Sequence, residues 1–186
     1  MNESLSERRD RIFLTGFMGS GKSTIGPILA NTIGYDFADV DRLVEARENR
    51  SVRSIFLESG EEHFRTLERA VIGELNTRTH MVISLGGGTL TDPATFQAIV
   101  TNGILVYLKV TPEQLYNRLH RRTDRPLLSD DEGNLLSEPA LRERIRTLYE
   151  AREPIYAKAD IVVPTDDTRV GVTVDAVVRR LAKYLR

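Results

Sequence analysis

The apolar positions along the chain fall into short runs that alternate with longer segments of helical spacing. The short runs are typical of buried β-strands and lie at 12–15, 35–38, 81–84, 104–108 and 161–163. The helical segments lie at 23–32, 43–47, 52–57, 61–76, 93–100, from 112 onward, 137–151 and 170–185. This alternation predicts an α/β fold with a mostly parallel sheet covered by helices on both faces. Ligands of such sheets bind beyond the carboxyl ends of the strands.

The composition adds few constraints of its own. The chain has 186 residues, 40% hydrophobic and 28% charged, as expected for one globular domain. The formal net charge of −1 gives no reason to expect a nucleic-acid or membrane partner. The absence of cysteine excludes disulfides, thiolate metal sites and cysteine nucleophiles. Without a signal-like N-terminus or an apolar run of the ~20 residues that a membrane helix needs, we expect a cytoplasmic protein.

A phosphate-binding signature follows the first predicted strand directly. Residues 16–23 read Gly-Phe-Met-Gly-Ser-Gly-Lys-Ser and fit the pattern G-x-x-x-x-G-K-[ST]. Glycines let backbone N–H groups converge on phosphate oxygens, while Lys22 can reach the β- and γ-phosphates and Ser23 can ligate Mg²⁺. The sequence has no N-K-x-D pattern for reading guanine, which favours a small-molecule kinase over a GTPase.

Two carboxylates, Asp39 and Asp41, follow the second predicted strand. Residues two apart in an extended segment point the same way, so both can face the cleft beside the phosphate loop. One can hold Mg²⁺, directly or through water, and the other can accept the proton of an attacking hydroxyl. The alternative is that one of them only caps the helix near Leu43.

Three arginines are candidates for binding anions. Arg65 can bind a ligand, or it can form a solvated helical ion pair with Glu68 three residues later. Arg125 lies in the non-periodic stretch 121–136, whose length favours a lid or a binding segment. An arginine on a closing lid can stabilise a transferring phosphoryl group. Arg152 is either an anion ligand or a cation that serves only the end of its helix.

Three glycines, Gly86, Gly87 and Gly88, follow the third predicted strand. Backbone without side chains permits close approach of a ligand, although a flexible turn would have the same composition. The three histidines of the chain show no metal-ligand spacing, so we expect them to be structural or surface residues.

Together these segments resemble the shikimate kinase family over nearly the whole chain. The matching blocks are the phosphate loop at 16–24, the acidic motif at 37–41, two helical segments at 51–56 and 60–68, the glycine motif at 84–88, the lid signature at 125–128 and the late arginine motif at 152–156. Asn49 stands where many members have glycine, and asparagine tolerates the left-handed conformation that this turn requires. The order and spacing of these blocks are more specific than the phosphate loop alone.

The resemblance implies a three-layer P-loop kinase fold, a five-stranded parallel sheet flanked by helices, in a single domain over 1–186. It implies a lid at about 121–136 and substrate-binding helices at about 41–70. The implied reaction uses ATP and Mg²⁺ to phosphorylate the 3-hydroxyl of shikimate, on the route to chorismate and the aromatic amino acids. We expect a monomer that binds these small molecules. Two alternatives stay open: another small-metabolite kinase, such as a gluconate or amino-shikimate kinase, and a nucleotide sensor without catalysis.

The resemblance also implies roles for individual residues. Those implied in catalysis are Lys22, Asp41 and Arg125. Those implied in ATP binding are Gly19, Ser20, Gly21, Lys22, Ser23, Thr24, Arg118, Arg125 and Thr168. Of these, the resemblance implies Arg125 at the transferred group and Arg118 and Thr168 near the adenine. Those implied in shikimate binding are Asp41, Phe56, Phe64, Arg65, Gly86, Gly87, Gly88 and Arg152. Those implied in binding Mg²⁺ are Ser23 and Asp39.

Overall fold

The computed structural model describes residues 10–120, 136–166 and 168–185. Within these ranges, five parallel strands form one sheet in the order β2-β3-β1-β4-β5. The strands are β1 (Arg11–Thr15), β2 (Asp36–Asp39), β3 (Met81–Ser84), β4 (Ile104–Lys109) and β5 (Ile161–Pro164). The central strand β1 pairs with β3 on one side and with β4 on the other, and it is buried along its whole length. The prediction of five parallel strands is confirmed.

Helices cover both faces of the sheet. They are α1 (Lys22–Ile33), α2 (Val40–Glu48), α3 (Val52–Leu75), α4 (Pro93–Asn102), α5 (Pro112–Leu119), α6 (Glu138–Tyr156) and α7 (Val170–Leu181). Alternate residues of β1 serve the two faces, because Ile12 and Leu14 pack with α1 and α7 while Phe13 packs with α2, α3 and α4. The three-layer architecture expected from the sequence is therefore confirmed.

Several helix boundaries differ from the expectation. Helix α6 continues through Pro154 to Tyr156 rather than ending at Ala151, and α7 ends at Leu181 rather than Leu185. The helices predicted at 52–57 and 61–76 are halves of α3, which is kinked at Gly60, where φ is 83° and ψ is 167°. Glycine adopts this conformation without a steric penalty, so the helix changes direction and continues. Helix α2 begins at Val40 rather than at Leu43, because the Asp39 side chain caps it. At its other end, Asn49 adopts φ 50° and ψ 34°, so the predicted left-handed turn is confirmed.

The segment between α5 and α6 contains the predicted lid. Residues 121–135 of that lid, Arg125 among them, lie outside the described residues. In the ranges that the structure describes, no helix combines the length and the apolar character required to cross a membrane.

Candidate active site

The phosphate loop, residues 16–24, joins β1 to α1 at the carboxyl edge of the sheet. Gly16, Gly19 and Gly21 have φ angles of 144°, 81° and 102°, which turn the backbone tightly ahead of the helix. Lys22 folds over the loop, and its Nζ donates to the carbonyls of Gly16 (2.7 Å) and Phe17 (3.2 Å). Because α1 begins at Lys22, the positive end of its dipole points into the same loop. This is a site for a chain of phosphates.

Ser23 and Asp39 meet beside the phosphate loop. Ser23 Oγ donates to Asp39 Oδ2 at 3.4 Å, while Asp39 Oδ1 accepts from the backbone N–H of Arg42 at 3.3 Å. The capping role considered for Asp39 is thus confirmed, and the same residue also lines the cavity. Among the described residues, no group of three or more His, Asp or Glu side chains can hold a metal. One hydroxyl and one carboxylate still suit Mg²⁺, which takes its other oxygens from phosphates and water.

Arg118 connects the phosphate loop to the segment after β5. Its Nη1 donates to the carbonyl of Gly19 at 3.1 Å, and its Nη2 donates to the carbonyl of Thr165 at 2.7 Å. Thr165 Oγ1 in turn donates to the carbonyl of Ser20 at 3.4 Å, and Thr168 lines the cavity next to it. Arg118 therefore fixes two loops relative to each other, and the ligand contact expected of it stays a prediction.

The glycines at 86–88 follow β3, and each of them lies close to a side chain that was predicted to bind the ligand. A Cβ built on Gly88 would lie 2.3 Å from Nη2 of Arg65, so only glycine leaves room for this guanidinium. Cβ atoms on the first and second glycines would lie 2.8 Å from Asp41 Oδ1 and 3.3 Å from Arg152 Nη1. Side chains from α2, α3 and α6 thus converge on one short loop. We call this region, residues 86–88 with Asp41, Arg65 and Arg152, the glycine pocket.

Asp41 reaches the glycine pocket by a route that differs from the expectation. It lies in the first turn of α2, so the prediction that Asp39 and Asp41 share one extended segment is wrong. Val40, between the two carboxylates, is fully buried in the core and starts the helix. The turn of helix that follows aims Asp41 at Gly86, and Asp39 and Asp41 both line the cavity.

Arg65 is held by two carboxylates of very different exposure. Its Nη1 donates to Glu68 Oε2 at 2.6 Å, and its Nε and Nη2 donate to Glu61 Oε1 at 3.2 and 3.0 Å. The Glu61 side chain is 65% exposed and that of Glu68 only 2%, so the alternative of a solvated pair with Glu68 is wrong. Burial is the largest influence on Arg65 and acts to lower its pKa. The charge and hydrogen bonds of Glu68 and Glu61 outweigh it, so the pKa of Arg65 is raised.

Arg152 and Tyr156 lie one turn apart on α6, and both contact Gly87. Arg152 Nη1 faces Gly87, and its guanidinium lies 5.9 Å from the ring centre of Phe17. The Tyr156 hydroxyl donates to the carbonyl of Gly87. Burial raises the pKa of Tyr156 to about 12, although the positive charge of Arg152 acts against the shift. Because α6 continues to Tyr156, Arg152 lies before its last turn, and the alternative of a cation that serves only the end of the helix is wrong.

One cavity of about 930 Å³ runs from the phosphate loop to the glycine pocket. The rings of Phe56 and Phe64, with centres 4.8 Å apart, form an apolar wall of it. Every described residue that the sequence predicted for the site lines this cavity: Gly19, Ser20, Gly21, Lys22, Ser23, Thr24, Asp39, Asp41, Phe56, Phe64, Arg65, Gly86, Gly87, Gly88, Arg118, Arg152 and Thr168. Arg125 lies outside the described residues.

Sequence reasoning did not predict that three buried side chains, those of Glu68, Thr89 and Tyr156, support the glycine pocket. For Tyr156 a signal existed, since it lies four residues after Arg152 and thus on the same helix face. Glu68 was recognised as a partner of Arg65, but its burial depends on the 3₁₀ turn Thr89–Thr91, which is distant in sequence. No local pattern marks Thr89.

Comparison with known sequences agrees with this geometry. The sequence model of the shikimate kinase family matches residues 18–185. The chain belongs to the shikimate kinase family. A shikimate kinase of Chlorobium limicola is 47% identical over 175 residues, which cover 94% of this chain and 88% of that protein. The shikimate kinase of Chlorobium phaeobacteroides strain BS1 is 46% identical over 175 residues, with the same shares of the two chains covered.

Solved structures extend the likeness to three dimensions. The shikimate kinase of Acinetobacter baumannii, in complex with shikimate, has a TM-score of 0.84 and 30% identity, covering 95% of both chains. That of Bacteroides thetaiotaomicron has a TM-score of 0.85 and 32% identity, covering 93% of this chain and 98% of the other. A gluconokinase of Sinorhizobium meliloti, at a TM-score of 0.59 and 19% identity, shares the fold alone. This member of the family is a kinase that phosphorylates shikimate.

Proposed function

We propose that the single cavity carries both halves of the transfer, with Mg²⁺-bound ATP at the phosphate loop and shikimate in the glycine pocket. The observation that carries this proposal is the continuity of the cavity between the two regions. Its volume of about 930 Å³ lies near the upper end of the usual range for ligand pockets, about 300–1,000 Å³. A phosphoryl donor and an acceptor that share one enclosure can react directly, in line, while water is kept out.

At the nucleotide end, backbone N–H groups of the phosphate loop bind the phosphates, and Lys22 stabilises the charge of the γ-phosphoryl group. Ser23 and Asp39 would hold Mg²⁺, and the bound ion would neutralise the negative charge of the phosphates. Arg118 and Thr168 lie on the adenine side. Arg125 keeps the role that the family resemblance implies for it, stabilising the transferred group from the lid.

At the other end, the glycine pocket recognises a carboxylated ring. Two guanidinium groups, those of Arg65 and Arg152, bind the shikimate carboxylate through charge-assisted hydrogen bonds. The apolar face of the ring packs against Phe56 and Phe64. This arrangement selects for a rigid carboxylated ring, whereas a flexible sugar acid such as gluconate would bring more hydroxyls than this apolar wall accommodates.

Asp41 is positioned to act as the base of the transfer. Its carboxylate takes the proton of the 3-hydroxyl while the hydroxyl oxygen forms a bond to the γ-phosphorus, and the bond to the β-phosphate oxygen breaks to release ADP. Because Asp41 faces Gly86 and Arg65 faces Gly88 of the same loop, the base and the carboxylate ligand are held at a fixed spacing. That spacing selects the hydroxyl that reacts.

Replacement of Asp41 tests the proposal. We expect Asp41→Asn to lower shikimate-dependent ADP formation by at least ~100-fold, the usual scale of acid–base catalysis, while ATP still binds. Asp36→Asn is the matched control, because Asp36 lies in β2 and is exposed away from the cavity. Both variants are assayed with shikimate, with gluconate and without an acceptor. Near-parental turnover of Asp41→Asn with shikimate would show that another group serves as the base.

The monomeric state and the cytoplasmic location stay predictions from the sequence. Sedimentation of the purified chain at several concentrations tests the first of them, and the expected result is one species of 21.0 kDa.

A further inference from the structure

Thr89 lies directly after the glycine pocket, at the start of the 3₁₀ turn, and only 1% of it is exposed. Its backbone N–H donates to the carbonyl of Gly86 at 3.3 Å. Its hydroxyl donates to Glu68 Oε1 across a separation of 21 residues. Thr89 therefore joins the loop that forms the pocket to the helix that carries Arg65.

Glu68 divides its two oxygens between two partners. Oε1 accepts from Thr89, while Oε2 accepts from Arg65 Nη1 at 2.6 Å. The carboxylate is 2% exposed, so water cannot replace a donor that is lost. Arg65 Nη2, in contrast, faces Gly88 and the exposed carboxylate of Glu61, and it is the nitrogen nearest to the pocket loop.

The use of the two Glu68 oxygens for different partners affects how Arg65 can bind a ligand. An arginine and a carboxylate favour a paired geometry with two parallel hydrogen bonds. If Glu68 were free to turn, it would gain by engaging Arg65 through both terminal nitrogens. Nη2 carries two N–H donors, and one of them already binds Glu61, so none would be left for a ligand carboxylate. The Thr89 hydroxyl, by binding Oε1, keeps Glu68 on Nη1 alone.

We propose that Thr89 is a positioning residue that sets the affinity of this enzyme for its acceptor by restricting Glu68 to one nitrogen of Arg65. The inference rests on the proposed binding of the shikimate carboxylate by Arg65. Thr89 does not line the cavity and is linked to it through Glu68 and Arg65, so its effect should be confined to the glycine pocket.

The test removes the hydroxyl and keeps the shape of the side chain. We expect Thr89→Val to raise the KM for shikimate about 10-fold, the scale of a buried acceptor left unpaired, and to change the KM for ATP less than about 2-fold. Thr89→Ser restores the donor, so its KM for shikimate should lie within about 3-fold of that of the parent enzyme. This split between two substrates is a readout that a general loss of stability would not produce.

Thr95→Val is the matched control. The Thr95 hydroxyl is also buried and also donates to a carboxylate, that of Asp92 at 2.5 Å, but this pair caps α4 and does not line the cavity. Both KM values of this variant should stay close to those of the parent enzyme. Should Thr89→Val not fold, Thr89→Ala makes the same measurement with a smaller side chain, and the same KM split is expected.

Arg65→Ala, measured alongside, tests the proposed carboxylate site separately from the role of Thr89. If Arg65→Ala raises the KM for shikimate and Thr89→Val does not, the role of Thr89 is refuted while the proposed site stands. If Arg65→Ala leaves that KM unchanged, the proposed site itself is wrong. An equal rise of both KM values in Thr89→Val would also overturn the inference, since it would show a structural role only.

Discussion

The two ends of the cavity are built in different ways. The phosphate loop is a single stretch of consecutive residues that binds through its backbone and one lysine, which is hydrogen-bonded to the carbonyls of that same loop. The glycine pocket is assembled from α2, α3, α6 and the segment after β3, and it depends on buried bonds between side chains. A loop of the first kind can be identified from a short motif, whereas a pocket of the second kind exists only once the fold brings its members together.

The difference also predicts how far the effect of a substitution extends from each end of the cavity. Loss of one member from a buried network of charges leaves the others without partners, so small changes in the glycine pocket should have local but sizeable effects. Changes in the phosphate loop should affect the transfer step and nucleotide binding and should leave the distant pocket intact.

The largest effect is expected from Lys22→Met. Removing this charge should lower turnover by about 10²–10³-fold, as for other groups that stabilise transition-state charge. Shikimate binding in the absence of nucleotide, measured by calorimetry, should change by less than about 2-fold, because the glycine pocket is built from other elements. Lys183→Met, at the exposed C-terminal end of the chain, controls for the loss of a positive charge. A large loss of shikimate affinity in Lys22→Met would contradict the separation of the two ends.

An intermediate effect is expected from Gly88→Ala. Gly88 has φ −107°, which alanine adopts easily, so the only conflict is between the new Cβ and Arg65 Nη2 at 2.3 Å. The guanidinium must move, and we expect the KM for shikimate to rise about 10-fold, the scale of one charged hydrogen bond, with little change for ATP.

Gly73→Ala is the control for the same chemical change. Gly73 lies in α3, and a Cβ there would meet nothing within 4 Å. Alanine should stabilise the helix by about 0.5–1 kcal/mol and leave both KM values unchanged. If the two alanine variants bound shikimate equally well, the glycine at 88 would have no part in seating Arg65.

The smallest effect on catalysis is expected from Tyr156→Phe, whose signature is in stability at alkaline pH. Burial raises the pKa of Tyr156 from the ordinary 10.0 to about 12, so the fold favours the protonated phenol. Its contribution is complete below pH 10 and is lost as pH rises through 12, on the order of 2–3 kcal/mol in all. The variant should lose less unfolding free energy than the parent between pH 10 and 12, measured with urea.

The same replacement at Tyr184 is the comparison for that measurement. The Tyr184 hydroxyl also donates to a backbone carbonyl, that of Asp160 at 3.1 Å, but the ring packs on the opposite face of the sheet. Tyr184→Phe shows what the loss of such a hydrogen bond alone does to stability. If Tyr156→Phe lost as much unfolding free energy as the parent between pH 10 and 12, Tyr156 would have no part in the alkaline loss.

Most of the fold and the nucleotide end could be predicted from the sequence. Buried strands and helical periodicity are local patterns, and the phosphate-binding motif is a run of consecutive residues, 16–23. The errors arose where a local pattern has two outcomes. The Asp39–Asp41 spacing fits both a strand and a helix start, and Gly60 can either end a helix or kink it.

The support of the glycine pocket could not be predicted, for a physical reason. Whether Glu68 is solvated or buried depends on Thr89, which is brought to it by the parallel strand β3 and the turn that follows. Likewise, the bond from Tyr156 to Gly87 joins residues 69 positions apart. Local spacing places Tyr156 on the helix face of Arg152, but it indicates neither the bond from Tyr156 to Gly87 nor the bond from Thr89 to Glu68.

The position of β1 at the centre of the sheet has a consequence for the order of events during synthesis. This strand precedes the phosphate loop, yet its neighbours β3 and β4 end only at Ser84 and Lys109. A chain emerging from the ribosome thus exposes its nucleotide-binding motif long before that motif has support. The nascent enzyme should therefore bind ATP only after β4 has been synthesised, when more than half of the chain has been translated.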